Sequence, residues 1–325
     1  MTHNFINKGS CPSFLSSFTP HFLRANLVKL RKAWRTKGAG FTILELLIVI
    51  ITIGVIAAII MVSVTGFEER ARLVKALSFS HQIQALLGAD AVLQLKMNEG
   101  GSGTCSGGKD VCDESGYKNH CVTHGDTNWI SDTPTGAGYS LFFDGSGDFA
   151  GCGTSTTLDI IDEITIEMWA KSNESNPVGQ SLYSKGDLTL RGYMQKWEEG
   201  GLFQQSFICE GGVRKIDVTF PTQRWVHYVA TYNYIDGGKV YLDGDFHNSV
   251  APNGKIVSSA SDELYVGKSF NGLIDEFRIY SAGLRLTEIQ EHYVRGIEKL
   301  YDKKLIDKEE CRQRLARFGR RMTLK

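Results

Sequence analysis

Proline is scarce in this sequence. Six prolines stand against 35 glycines in 325 residues, which leaves little rigid linker and suits a turn-rich β protein. Net charge is also lacking: 36 Lys and Arg balance 36 Asp and Glu, so no global field points to nucleic acid as a partner. Acids are missing altogether from residues 1–40, which carry Lys8, Arg24, Lys29, Arg31, Lys32, Arg35 and Lys37. Hydrolytic signatures are missing too. The chain has no nucleophile elbow and no Ser-His-Asp order. Glu163 and Glu167 stand four apart with Thr165 between them, and Glu167 reads as a solvated strand residue. No enzyme is expected.

What is present begins with an apolar run. No charged residue occurs from Leu46 to Val64, and the four residues before Glu45 extend the segment beyond 20. A secretory signal core is about 7–15 residues and a spanning helix needs roughly 20, so the length predicts a retained anchor. Basic residues before it and mixed charge after it predict a cytoplasmic N-terminus and export of the rest. Glu45 stands out because a carboxylate in an apolar bilayer costs on the order of 2.5–3.5 kcal/mol, which usually signals a partner or a function. An interfacial helix N-terminal acid would also account for it.

The flanks, Gly40, Phe41, Thr42 and Glu45 followed by the apolar run, resemble the processing site of type IV prepilins and pseudopilins. The resemblance implies cleavage after Gly40 by a prepilin peptidase, methylation of the new amine on Phe41, and a role for Glu45 in neutralising that amine on a neighbouring subunit. Two features depart from the family: the 40-residue leader is long, and Val62 stands where many major pilins have a kinking proline. Beyond the run, Leu73, Leu77, Ile83 and Leu87 recur at helical spacing.

After about residue 90 short runs alternate apolar and polar residues: ITIEMWAK from Ile164, RWVHYVATY from Arg224, GKVYLDG from Gly238, ELYVG from Glu263 and IDEFRIY from Ile274. Turn residues separate them, as in an antiparallel sandwich. Asp113-Glu-Ser-Gly116 with Asn119, SLFFDGSGDF from Ser140, and FNGLIDEFRIYSAGL, in that order, resemble a laminin-G-like, concanavalin A-like jelly roll. Together these segments predict an α+β chain: a long N-terminal hydrophobic α-helix, an antiparallel β-sandwich and a short C-terminal helix. Its expected parts are a cleaved basic leader (1–40), an assembly or transmembrane helix with an amphipathic extension (41–90), a jelly-roll head (91–296) and a charged helical tail (297–325).

The jelly-roll resemblance implies a possible structural calcium, with Asp113, Asn119 and Asp275 at the matching positions and Asn98 a weaker candidate. Turn-shaping hydrogen bonds are the plainer role for Asp113 and Asn119. Sugar binding is the other implied property, and Trp129, Trp197, Tyr193 and Tyr234 are the aromatics that could serve from loops. Relatives that hydrolyse glycosides use Glu-x-Asp-x-x-Glu, which is absent here. With the leader removed, Cys105, Cys112, Cys121, Cys152, Cys209 and Cys311 remain, all expected to lie in an oxidising compartment and to form disulfides, with 15 possible pairings. A zinc site of Cys112, His120, Cys121 and His124 has no matching ligand spacing. The tail reads as a solvated helix on thin anchors, Leu300, Ile306 and Leu315. The expected protein is a pilin-like subunit held in the cytoplasmic membrane and then displayed in a filament, contacting other pilin subunits and a glycan or cell-surface protein. A pseudopilin of a secretion or DNA-uptake system and a membrane-anchored lectin that never polymerises are the alternatives.

Overall fold

A computed structural model describes residues 42–56, 91–187 and 189–318. Its contacts divide the chain into two units, Met1–Leu73 and Val74–Lys325. In the first, residues 43–56 form helix α1. Thr42 starts it: its hydroxyl accepts from the Glu45 N–H at 3.3 Å, and Glu45 Oε2 accepts from the Thr42 N–H at 2.9 Å. This reciprocal pair is a capping box. Gly40, Phe41 and the stripe from Leu73 to Leu87 lie outside the described residues.

The α+β expectation is corrected here. The protein is a mostly β sandwich with short helices, and among the described residues no helix is long and apolar enough to cross a membrane. The described helical residues, 43–56, account for roughly 21 Å at 1.5 Å per residue, against the roughly 30 Å of a hydrocarbon core.

The second unit holds β1 (Ala91–Leu95), β2 (Val122–His124), β3 (Asn128–Ile130), β4 (Ser140–Asp144), β5 (Phe149–Gly151), β6 (Glu163–Ser172), β7 (Tyr183–Asp187) and β8 (Arg191–Trp197). There follow β9 (Phe203–Cys209), β10 (Gly212–Val218), β11 (Val226–Asn233), β12 (Gly237–Leu242), β13 (Asp245–Val250), β14 (Leu264–Val266) and β15 (Asn271–Tyr280). One sheet runs β13-β12-β11-β6-β15-β4-β3, with β1 also paired to β15, and the facing sheet runs β10-β9-β8-β7-β14-β5-β2. Sheet neighbours β1 and β15 are the first and last strands described, so the two ends of the sandwich are tied into one sheet.

Alternation dictates the core between the sheets. Ile164, Ile166, Met168 and Ala170 of β6 point inward beside Val226, Tyr228, Ala230 and Tyr232 of β11. The opposite face of the same strands is covered as well. Helix α2 (Leu286–Asp302) lays Ile289, Tyr293, Val294 and Ile297 against it, and α3 (Lys308–Ala316) adds Cys311 and Leu315. These residues recur three or four apart, the spacing of a buried helix stripe. A Cβ at Gly296 would lie 2.7 Å from the Trp169 ring, so only glycine lets α2 approach so closely. The described part of the C-terminal segment is therefore packed structure, not a solvated tail, and α2 runs through the head-to-tail boundary expected at residue 296. The described residues end at 318.

Candidate functional site

The covered face carries the first unexpected group. Glu167 is 1% exposed. Its carboxylate meets His227 Nε2 at 2.8 Å, His292 Nδ1 at 2.9 Å and the Tyr280 hydroxyl at 3.2 Å, with Arg278 Nη1 at 3.7 Å. Burial alone would raise its pKa, but His292, His227 and Arg278 outweigh burial and hold it well below the usual carboxylate range. Sequence reading placed this glutamate in solvent because alternation separates two faces without saying what covers the polar one. Glu163, four residues earlier, bonds the Asn233 amide and the Gly283 N–H instead.

An open groove of about 650 Å³ lies elsewhere on the sandwich. Tyr117 and Tyr234, 51% and 40% exposed, both line it. Tyr117 sits on a turn built by Asp113, whose oxygens accept from the N–H groups of Gln94, Ser115 and Asn119 at 2.8–2.9 Å and from the Ser115 hydroxyl at 2.8 Å. Tyr234 follows β11, and Lys255 Nζ lies 5.5 Å from its ring centre. Asp162 pairs with Lys255 at 2.7 Å, while Asp159 takes the Ser258 hydroxyl and the Ser259 N–H. Exposed aromatic faces beside fixed carboxylates and an ammonium are the chemistry that stacks on a sugar ring and bonds its hydroxyls.

Of the four aromatics expected on loops, only Tyr234 belongs to this groove. Trp197, 1% exposed, and Tyr193 are core residues of β8, and Trp129 of β3 is half-buried against the core. Tyr117 was missed, although its place inside the Asp-Glu-Ser-Gly-Tyr turn, away from any apolar alternation, was a usable signal.

The residues expected to hold calcium are committed elsewhere. Both Asp113 oxygens are engaged as above, and the Asn119 amide donates to the Val92 carbonyl and the Thr157 hydroxyl. Asn98 Oδ1 accepts from the Tyr139 N–H. Asp275 is buried on β15 opposite Trp169, and burial, then repulsion from Glu276, pushes its carboxyl up to about 8. A neutral carboxyl makes a poor cation ligand. A different trio, Asp126, Asp144 and Asp148, brings one oxygen from each within 4.8 Å of the others. Asp148 accepts from the N–H groups of Asp126 and Asp144 at 2.9 Å, and a Cβ on Gly125 would strike its oxygen. Burial, together with the charges of Asp144 and Asp126, raises its pKa. Hard carboxylate oxygens are the donor set that calcium takes, although both Asp148 oxygens already accept backbone N–H groups, as those of Asp113 do.

Cys105–Cys112 and Cys121–Cys152 are disulfides, while Cys209 and Cys311 are buried thiols in separate clusters. Cys209 Sγ lies 3.0 Å from the Tyr232 hydroxyl, and burial raises its pKa. His120 is taken up by the Asp113 N–H and the Ser106 hydroxyl, so it completes no zinc set.

The family described as the concanavalin A-like lectin/glucanases superfamily matches residues 144–290. Among solved structures, the binding domain of Paraclostridial Mosquitocidal Protein 1 is similar, with a TM-score of 0.53, 15% identity, and coverage of 65% of this chain and 53% of that one. A structure of botulinum neurotoxin type C, whose cell entry depends on two ganglioside molecules, matches with a TM-score of 0.53, 14% identity and coverage of 66% and 53%. The binding domain of botulinum neurotoxin DC in complex with rat synaptotagmin II gives 0.51, 13%, and 65% and 52%. At these identities the likeness is one of fold, and this chain spans about half the length of those domains. No curated protein matches the chain in sequence. The sandwich is a concanavalin A-like jelly roll.

Proposed function

We propose that the protein is a surface-displayed, glycan-binding subunit: a lectin-like head carried on a type IV pilin-like N-terminal segment. The observation that carries the binding role is the groove between Tyr117 and Tyr234, two exposed rings beside Asp159, Asp162 and Lys255. The same fold in botulinum neurotoxin type C accompanies interaction with gangliosides, and in neurotoxin DC with synaptotagmin II, so a cell-surface glycan or protein is the class of ligand. Binding requires no covalent step. A calcium ion held by Asp126, Asp144 and Asp148 would cross-link two turns and neutralise their charge.

The carrier role is supported by α1. Ile43 is 89% exposed, and Leu47, Ile50, Ile53 and Ile56 are also bare. A helix apolar all round needs like helices or lipid around it. Glu45 Oε2 accepts from the Thr42 N–H and hydroxyl, and this carboxylate is the group that would meet the amine that cleavage at Gly40 would create on a neighbour's Phe41. The chain would be held at the cytoplasmic membrane, processed by a prepilin peptidase, and assembled with other pilin subunits outside. Two measurements test the reading. Mass analysis of the native N-terminus should find methylated Phe41, and an intact leader defeats the carrier role. A glycan array should show saturable binding, and a blank array defeats the lectin role.

A further inference from the structure

The loop between β1 and β2 gathers a donor set that the glycan groove does not use. Glu99 Oε1 accepts from the Cys112 N–H at 2.9 Å. Its other oxygen, Oε2, is buried and has no hydrogen-bond partner among the described residues, a costly state for a polar atom. A Glu99 carboxylate oxygen lies within 4.8 Å of both Cys105 Sγ and Cys112 Sγ, the two atoms of the shorter disulfide.

The loop is tied down by more than that disulfide. The Cys105 N–H donates to the Lys109 carbonyl at 3.0 Å, and the Gly108 N–H to the Cys105 carbonyl at 3.1 Å. Asp110 anchors both flanks, its oxygens accepting from the Gly103 and Thr123 N–H groups at 2.8 Å. Val111 and Cys121 exchange backbone hydrogen bonds, and Cys121 is itself pinned to Cys152. Breaking Cys105–Cys112 therefore leaves two thiols on a fixed frame beside Glu99. Cys112 is partly exposed, whereas Cys121 and Cys152 are 0% and 4% exposed, so a soluble reductant reaches the Cys105–Cys112 bond first.

Two thiolates and a carboxylate are a donor set for a tetrahedral zinc ion, with the fourth position left to water. Zinc–sulfur bonds of about 2.3 Å at tetrahedral angles part the sulfurs to roughly 3.8 Å. Side-chain rotation on Cα atoms 5.3 Å apart can reach that separation.

We propose that Glu99, Cys105 and Cys112 form a redox-gated zinc site, closed as the disulfide and opened by a phosphine or thiol reductant. With a phosphine, the disulfide takes two electrons from phosphorus and two protons from water, whose oxygen ends on the phosphine oxide. Zinc then displaces both thiol protons into the buffer. The site is separate from the tyrosine-lined groove and does not depend on the glycan reading.

Cobalt(II) titration of the full-length chain, with zinc as competitor, tests this, since thiolate-bound cobalt has a charge-transfer absorption that aqueous cobalt lacks. After phosphine reduction one cobalt per chain should bind with that absorption, and zinc should remove it. The disulfide form should give no band. Glu99→Gln, whose amide oxygen can still accept from the Cys112 N–H, should weaken binding at least tenfold. Cys105→Ser combined with Cys112→Ser should abolish it. No band in the reduced parent, an equal band in the doubly substituted chain, or an equal band in the disulfide form overturns the proposal. Affinity indifferent to Glu99→Gln overturns the three-donor assignment.

Discussion

His292 Nδ1 of α2 lies 2.9 Å from Glu167 Oε2 of β6, joining residues 125 apart in the chain. The contact fixes α2 to the outer face of the sheet, and His227 grips the same carboxylate from β11. One buried acid thus connects three elements.

Removing that acid should be costly. Breaking a buried ion pair by deleting one partner typically costs about 3–5 kcal/mol, so Glu167→Ala should lose stability on that scale in urea denaturation. Hydrogen exchange in α2 should accelerate with it. The pH dependence has a definite sign. The folded carboxyl is held below its ordinary value, so its contribution is present above the unfolded value of about 4.3 and is lost as pH falls through the folded value. The Ala variant should lack that acid-sensitive step. An unchanged urea midpoint would remove Glu167 from this role.

Asp275 works in the opposite direction. Its folded carboxyl is pushed up to about 8 by burial and by Glu276, while the unfolded value is about 3.9. Between those values the folded state keeps a proton that the unfolded chain releases, so stability falls as pH rises across that window. Asp275→Asn should match the parent near pH 4 and exceed it at pH 8 by on the order of a few kcal/mol. Thermal melts across pH check this. A parallel pair of curves would show that Asp275 ionises normally.

The disulfides should differ in worth. Cys121–Cys152 closes a separation of 31 residues and Cys105–Cys112 one of 7. Loop-closure entropy gives roughly 3–4 kcal/mol for the first and roughly 2 for the second. Replacing each pair with alanine and comparing denaturation midpoints should show the larger loss for Cys121–Cys152. Equal or reversed losses would mean that native packing, not chain entropy, dominates.

Calcium is the fourth measurement. Three carboxylates crowd one spot, and Asp148 is raised by burial and by its two neighbours, so a divalent ion should relieve repulsion as it binds. Adding calcium to chelated protein should raise the melting temperature by several degrees, following ligand linkage, and Asp148→Asn should abolish the gain. A transition indifferent to calcium would remove the ion.

The sandwich was largely legible because alternation marks strands whose two faces differ. ITIEMWAK lies within β6, and most of RWVHYVATY forms β11. Strands β7 to β10 were not legible. Their buried faces carry polar groups: Gln205 Oε1 accepts from the Tyr183 and Tyr228 hydroxyls, and Lys185 is fully buried against backbone carbonyls. A satisfied buried glutamine breaks an apolar pattern as thoroughly as an exposed one. That is why Tyr193 and Trp197 were expected on loops. The buried role of Glu167 was illegible for a related reason, since the helix that covers it begins 119 residues later in the sequence, at Leu286.

The groove gives the last test. Tyr117 and Tyr234 are exposed, so Tyr117→Ala and Tyr234→Ala should each leave the melting temperature within about a degree of the parent, as surface changes usually do. Each ring should nevertheless matter for an array-identified glycan, because aromatic stacking contributes roughly 0.5–1.5 kcal/mol beyond buried area. Affinity should fall about tenfold for either variant. Trp129→Phe, on the half-buried strand β3, should leave affinity unchanged. Full affinity in both tyrosine variants would locate glycan binding elsewhere on the sandwich, and a large fall in melting temperature would show that the rings belong to the fold.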